Sequence, residues 1–203
     1  MRCKIKVCGL YREQDIDFVN EARPDYICFI LDYPKSYRSI GPERAGLLKK
    51  RLLPGIRAVG VFVDQSMEDI CREAEEIGLD VIQLHGHEDN VYIAAVRERT
   101  RLPVWKAFKI RTEEDLAAAE SCAADEILLD NGYGTGTVFD WSLLEGFGRT
   151  FILAGGLTPE SIPEAMRLLS PKIIDISSGV ETDKVKDREK ILAAVRAVRG
   201  GER

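Results

Sequence analysis

The chain has 203 residues, of which 45% are hydrophobic and 31% charged, a balance that supports a packed core and excludes a disordered polymer. Its net charge of −5 comes from 29 basic and 34 acidic residues interspersed along the length, which excludes a nucleic-acid surface built on a basic stripe. An anionic ligand must then be recognised locally, by backbone amides and one or two placed cations, and a small phosphorylated molecule suits that requirement.

The opening run Met1 to Lys6 carries three cations but no apolar stretch of signal-peptide length behind it, and no run reaches the ~18 residues of a membrane span. Cytoplasmic residence without a membrane partner is expected. Cys3, Cys8, Cys28, Cys71 and Cys122 are widely spaced and odd in number, so reduced thiols are expected rather than a disulfide framework or a zinc knuckle.

Largely apolar runs of strand length follow one another at residues 3–8, 26–31, 58–63, 80–84, 103–108, 127–130, 150–154 and 172–176. Amphipathic segments with helical spacing separate them, at about 12–22, 43–53, 66–77, 90–100, 113–122, 141–146, 159–169 and 187–199. Pro42, Ser66, Thr112 and the pair Thr158 and Pro159 stand where helix starts are due. Runs such as Ala58 to Val63 are apolar without alternation, as in parallel strands buried on both faces. Eight β-α units closing into one compact (β/α)8 barrel, an α/β fold spanning residues 1–203 as one domain, is the expected architecture. The rival, an open dinucleotide-binding sheet, needs a glycine-rich turn after its first strand, whereas Gly9 here is followed by Leu10, Tyr11 and Arg12.

In such a barrel the chemistry belongs to the carboxyl ends of the strands. Those ends read Lys6-Val7-Cys8-Gly9 on the first strand and Gln83-Leu84-His85-Gly86 on the fourth. The sixth ends in Leu129-Asp130 and opens into a loop with Gly134 and Gly136, the seventh ends in Ala154-Gly155-Gly156, and the eighth in Ser177-Ser178-Gly179. The loop after the second strand holds Lys35, Tyr37 and Arg38. Glycines after strands seven and eight permit close approach of backbone amides to a phosphate, although turn sterics alone would also account for each of them. Gly134 and Gly136 are expected to give the loop after Asp130 mobility. His85, His87 and Glu88 share one short loop without a third convergent ligand, so no metal is assigned.

The segments KVCGL, VGVFVD, QLHGHE, LLD, GTGTVFDW, LAGGL and SSGVE, taken in this order from residue 4 to about residue 192, resemble the successive signatures of the phosphoribosylanthranilate isomerases. The resemblance implies a cofactor-free Amadori rearrangement of N-(5-phosphoribosyl)anthranilate to an aminoketose in tryptophan biosynthesis, by a monomer or homodimer. It implies Cys8 as general base and Asp130 as general acid, with Arg38 on the anthranilate carboxylate and Gln83 and His85 facing the substrate. Gly155, Gly156, Ser178 and Gly179 would bind the phosphate. The chemistry asks for two groups of opposite protonation near neutral pH: a carboxylic acid that keeps its proton and a thiol that gives its proton up.

Tyr37 before Arg38 and Ser39 after it depart from the commonest family wording, which leaves Arg12 and Lys35 as rival anchors, and Tyr11 stands where the family often has threonine. The related isomerase of histidine biosynthesis would place aspartates at strands one and five, where this chain has Cys8 and Ala107-Phe108. Indoleglycerol-phosphate synthase would require a lysine-rich catalytic set. A binding module of barrel fold would not need Cys8 and Asp130 together.

Overall fold

The computed structural model describes residues 2–130, 141–144 and 146–200. Eight parallel strands form the wall: β1 (Lys4–Cys8), β2 (Tyr26–Leu31), β3 (Arg57–Phe62), β4 (Val81–Leu84), β5 (Val104–Lys109), β6 (Glu126–Asp130), β7 (Phe151–Leu153) and β8 (Ile173–Ile176). Each pairs with the next, and β8 returns to β1 through Lys6 opposite Asp175, so the sheet closes into a barrel. Helices α1 (Glu13–Ala22), α2 (Pro42–Lys49), α3 (Met67–Ile77), α4 (Asn90–Thr100), α5 (Glu113–Glu120) and α6 (Ile162–Leu169) lie between the strands in the chain, and α7 (Arg188–Gly200) follows β8.

Local sequence explains most helix ends. Ser66 caps α3 by accepting from the Asp69 amide, and Thr112 caps α5 in a reciprocal box with Asp115. Gly78 closes α3 in the left-handed conformation that glycine adopts without a Cβ penalty. Two expected helices differ. The segment 141–146 is, over its described part, one 3-10 turn at Trp141–Leu144. Helix α6 starts at Ile162 rather than 159, because Thr158 and Ser161 bond to each other in a turn of their own. The loop with Gly134 and Gly136, and most of the GTGTVFDW segment, lie outside the described residues.

Two short features were not expected. Ser39–Ile40 pairs in parallel with Ile30 and Leu31 at the end of β2, and Glu181–Thr182 pairs antiparallel with Val185–Lys186. Both lie on the rim.

Apolar side chains form two layers. Ile5, Val7, Ile27, Phe29, Ile82, Ile127 and their neighbours pack outward against the helices. Cys28, Val59, Val61, Trp105, Leu128, Ile152 and Ile173 fill the barrel interior. Side chains alternate between faces along a strand. The inward set on β1 is therefore Lys6 and Cys8, on β6 Leu128 and Asp130, and on β8 Ile173 and Asp175. The same alternation that builds the core delivers polar groups to its top. Among the described residues no helix is long and apolar enough to cross a membrane.

Candidate active site

A cavity of about 640 Å³ opens at the carboxyl ends of the strands. It is lined by Cys8, Arg38, Gln83, His85 and Asp130, and on another side by Gly155, Gly156, Ser177 and Ser178. Eight of the nine site residues expected from sequence thus meet in one space. Gly179 is not among the lining residues; a Cβ there would stand 1.9 Å from the Leu157 carbonyl oxygen, so its glycine serves the packing of two adjacent loops.

Below the cavity, Lys6 is fully buried and donates to both carboxylate oxygens of Asp175 at 2.9 Å. Burial alone would lower the lysine pKa, but Asp175 and the two nearby thiols hold it above the ordinary value. Cys8 sits beside this pair, in direct contact with Cys28, the residue paired with it in register on β2. The contact with Cys28, together with burial, pushes the Cys8 thiol well up. His85 is held below the usual histidine range by burial, with the nearby Asp130 pulling the other way, and is neutral at physiological pH.

The rim is a different construction. Arg38 donates through Nε and Nη2 to the two oxygens of Glu181, at 2.8 and 2.7 Å. Glu181 also accepts from Lys186 and from the Tyr37 hydroxyl, each at 2.7 Å. Burial would push the Glu181 carboxyl up, but these partners bring it down to about 2. The guanidinium stacks on the Tyr37 ring, 4.2 Å from its centroid. Gly9, at φ +79°, leaves the space through which Arg38 passes; a Cβ there would lie 2.5 Å from Arg38 Cδ.

Of the rival anchors, Arg12 is tied to Asp15 and to the Lys186 carbonyl and does not line this cavity. Lys35 lines a neighbouring cavity of about 900 Å³ instead. Tyr11 donates its hydroxyl to the Lys184 carbonyl, which links it to the rim rather than to the cavity floor. His87 is turned to solvent beside Asp64, while Glu88 accepts from the Asp64 and Gly86 amides, and both line the neighbouring cavity with His85.

Sequence reasoning missed Cys28, Asp175, Glu181 and Lys184. Lys184 lines the cavity from the hairpin turn, where it and Asp183 both have positive φ, 66° and 51°. The alternation of Val180, Thr182, Val185 and Asp187 about Asp183-Lys184 was the available signal for that hairpin.

Three comparisons bear on this arrangement. Residues 5–197 match the family model described as N-(5'phosphoribosyl)anthranilate (PRA) isomerase. The chain is 42% identical over 201 residues to N-(5'-phosphoribosyl)anthranilate isomerase of Endomicrobium trichonymphae, covering 97% of this chain and 98% of the relative. A solved phosphoribosyl anthranilate isomerase in complex with reduced 1-(o-carboxyphenylamino)-1-deoxyribulose 5-phosphate superposes with a TM-score of 0.88 at 34% identity, covering 98% and 99% of the two chains. Monomers generated from the dimeric phosphoribosylanthranilate isomerase of Thermotoga maritima superpose at 0.86 with 35% identity and the same coverage.

Proposed function

The chain belongs to the N-(5'-phosphoribosyl)anthranilate isomerases, aldose-ketose isomerases of tryptophan biosynthesis, and from that premise we propose that Cys8 and Asp130 are the base and acid of its Amadori rearrangement. Asp130 gives a proton to the furanose ring oxygen as the C1–O bond breaks and the nitrogen lone pair forms a C1=N iminium. Cys8 takes the proton from C2. The C2–H electron pair becomes the C1=C2 bond, and the C1=N pair returns to nitrogen. The resulting enol then ketonises to 1-(2-carboxyphenylamino)-1-deoxyribulose 5-phosphate. No redox partner is needed, since one carbon is reduced as its neighbour is oxidised.

One observation carries this reading: the barrel brings Cys8, from β1, and Asp130, from β6, to the same cavity. Arg38 and the glycine loops flank them there. The backbone of Gly155, Gly156 and Ser178 supplies the phosphate seat, at the start of the short helical turn Ser178–Val180. The carboxylate of the anthranilate ring meets Arg38. Glu181 already occupies the Nε and Nη2 edge, so the substrate uses the Nη1 side, with the Lys184 ammonium as a second positive charge. Gln83 and His85 face the substrate from β4 and its loop. The reading extends to one barrel unit over residues 1–203, acting in the cytoplasm as a monomer or homodimer.

Single-turnover kinetics of Cys8→Ala and Asp130→Asn with freshly made phosphoribosylanthranilate test the assignment. Each is expected to lose ~10²-fold or more in the chemical step, with substrate binding largely kept. A wild-type rate in either variant removes that residue from the mechanism.

A further inference from the structure

We propose that the base of this enzyme is a pair of thiols, in which Cys28 stands behind Cys8 and accepts the Cys8 proton as Cys8 takes the one from C2. The proposal rests on the reading of Cys8 as base.

Cys28 is fully buried on β2 and paired in register with Cys8 on β1. Neighbouring parallel strands lie about 4.8 Å apart, and residues paired in register present their side chains on the same face. Both sulfurs therefore point into the barrel, and they touch. Cys8 lines the cavity and Cys28 does not, so only one of the two meets the substrate. The Gly9 amide donates to Cys28 Sγ at 3.2 Å. An N–H aimed at a buried sulfur stabilises negative charge there.

Among the described residues, His85 and Asp130 line the same cavity as Cys8. Lys6 and Asp175 lie on β1 and β8, Arg38 approaches from the loop after β2, and Lys186 from the rim hairpin. Val59, paired with Cys28 on β3, adds none. Burial alone would push the Cys28 thiol up; the hydrogen bond from Cys8 and the Lys6 ammonium bring it down to about 7. Because the Gly9 amide is given to Cys28 Sγ, the negative charge of the singly protonated pair is placed on Cys28 while Cys8 holds the proton.

At the C2 step the substrate proton arrives on Cys8 Sγ, and the proton Cys8 carried passes to Cys28 Sγ. The pair goes from one negative charge to neutral as the iminium becomes a neutral enamine. No electron leaves either sulfur. Acting through Cys8, Cys28 is a positioning residue for the proton.

The test is the pH profile of the single-turnover rate for wild type, Cys28→Ser, Cys28→Ala and Cys8→Ala. Without Cys28 the remaining thiol should ionise nearer the ordinary value of ~8.5, so the acid limb should move up by ~1 pH unit or more. The rate near pH 7 should fall about tenfold and recover as pH rises. Ultraviolet thiolate absorbance should move with it, independently of which step limits turnover. An acid limb and thiolate titration unchanged in both Cys28 variants would overturn the thiol pair. If Cys8→Ala is as fast as wild type, the reading of Cys8 itself fails; if Cys8→Ala is slow while the Cys28 variants titrate like wild type, only the pair fails.

Discussion

The floor and the rim of the cavity both hold buried charge, but they are built from different parts of the chain. On the floor, Lys6, Cys8, Cys28 and Asp175 stand on three adjacent strands, and their spacing follows from register: Lys6 faces Asp175, and Cys8 faces Cys28. On the rim, Arg38, Glu181, Lys184 and Lys186 come from a loop and a hairpin that no barrel strand contains. Their order depends on ion pairs, with the Glu181 carboxylate as the common partner of Arg38, Lys186 and Tyr37. Groups placed by sheet register can be held to the tolerance that proton transfer demands. Groups placed by side-chain pairing can adapt to a ligand. The floor should therefore govern turnover and folding, and the rim should govern affinity.

The largest effect expected is Asp175→Asn. It leaves the Lys6 ammonium buried without its counter-charge, and breaking such a pair costs about 3–5 kcal/mol. Equilibrium denaturation measures it, and a loss below ~1 kcal/mol would show that the floor does not depend on this pair.

Arg38→Ala should act on the other side of the comparison. A charge-assisted hydrogen bond present in ground and transition states is worth about 1.5–3 kcal/mol, so KM should rise by ~10-fold or more while kcat changes by less than ~3-fold. Arg12→Ala should leave KM near wild type, since Arg12 is engaged by Asp15. If the two variants exchange these behaviours, the rim has been assigned to the wrong cation.

A smaller effect sharpens the comparison from outside the cavity. Glu73 on α3 is buried with the Arg72 guanidinium 3.7 Å away and Oε2 without a hydrogen bond, and burial pushes its pKa up to about 7. Between its ordinary value near 4.5 and about 7 the unfolded chain loses this proton while the native chain keeps it, so native stability falls as pH rises through that window. Glu73→Gln should remove the loss, stabilising the protein by about 2 kcal/mol above pH ~7 and not at all below pH ~4.5. Denaturation midpoints that move equally at both pH values would contradict this account and mark Glu73 as an ordinary packing position.

Much of the barrel was legible in the chain, because hydrophobic period and helix punctuation are local properties. The eight apolar runs became the eight strands, with ends displaced by a residue or two. The strand-end rule then located Cys8, Gln83 and Asp130 at the cavity from their positions alone, and the family likeness added Arg38. Helix 141–146 was misread because a short amphipathic stretch after a glycine-rich loop has the right period but, over its described residues, continues only as one 3-10 turn.

What the sequence by itself determined was the order of elements, the inward alternation along each strand and the chemical types available at the strand ends. Tertiary structure alone decided which of those groups meet. Cys8 and Cys28 are 20 residues apart and Lys6 and Asp175 are 169 apart; nothing local couples them, and only the parallel register of β1 with both neighbours brings each pair into contact. Glu181 and Arg38, 143 residues apart, are joined because barrel closure sets the loop after β2 beside the hairpin after β8. Local propensity acts over a few residues, whereas the energy of a buried charge depends on every group within several ångströms, whatever its place in the chain.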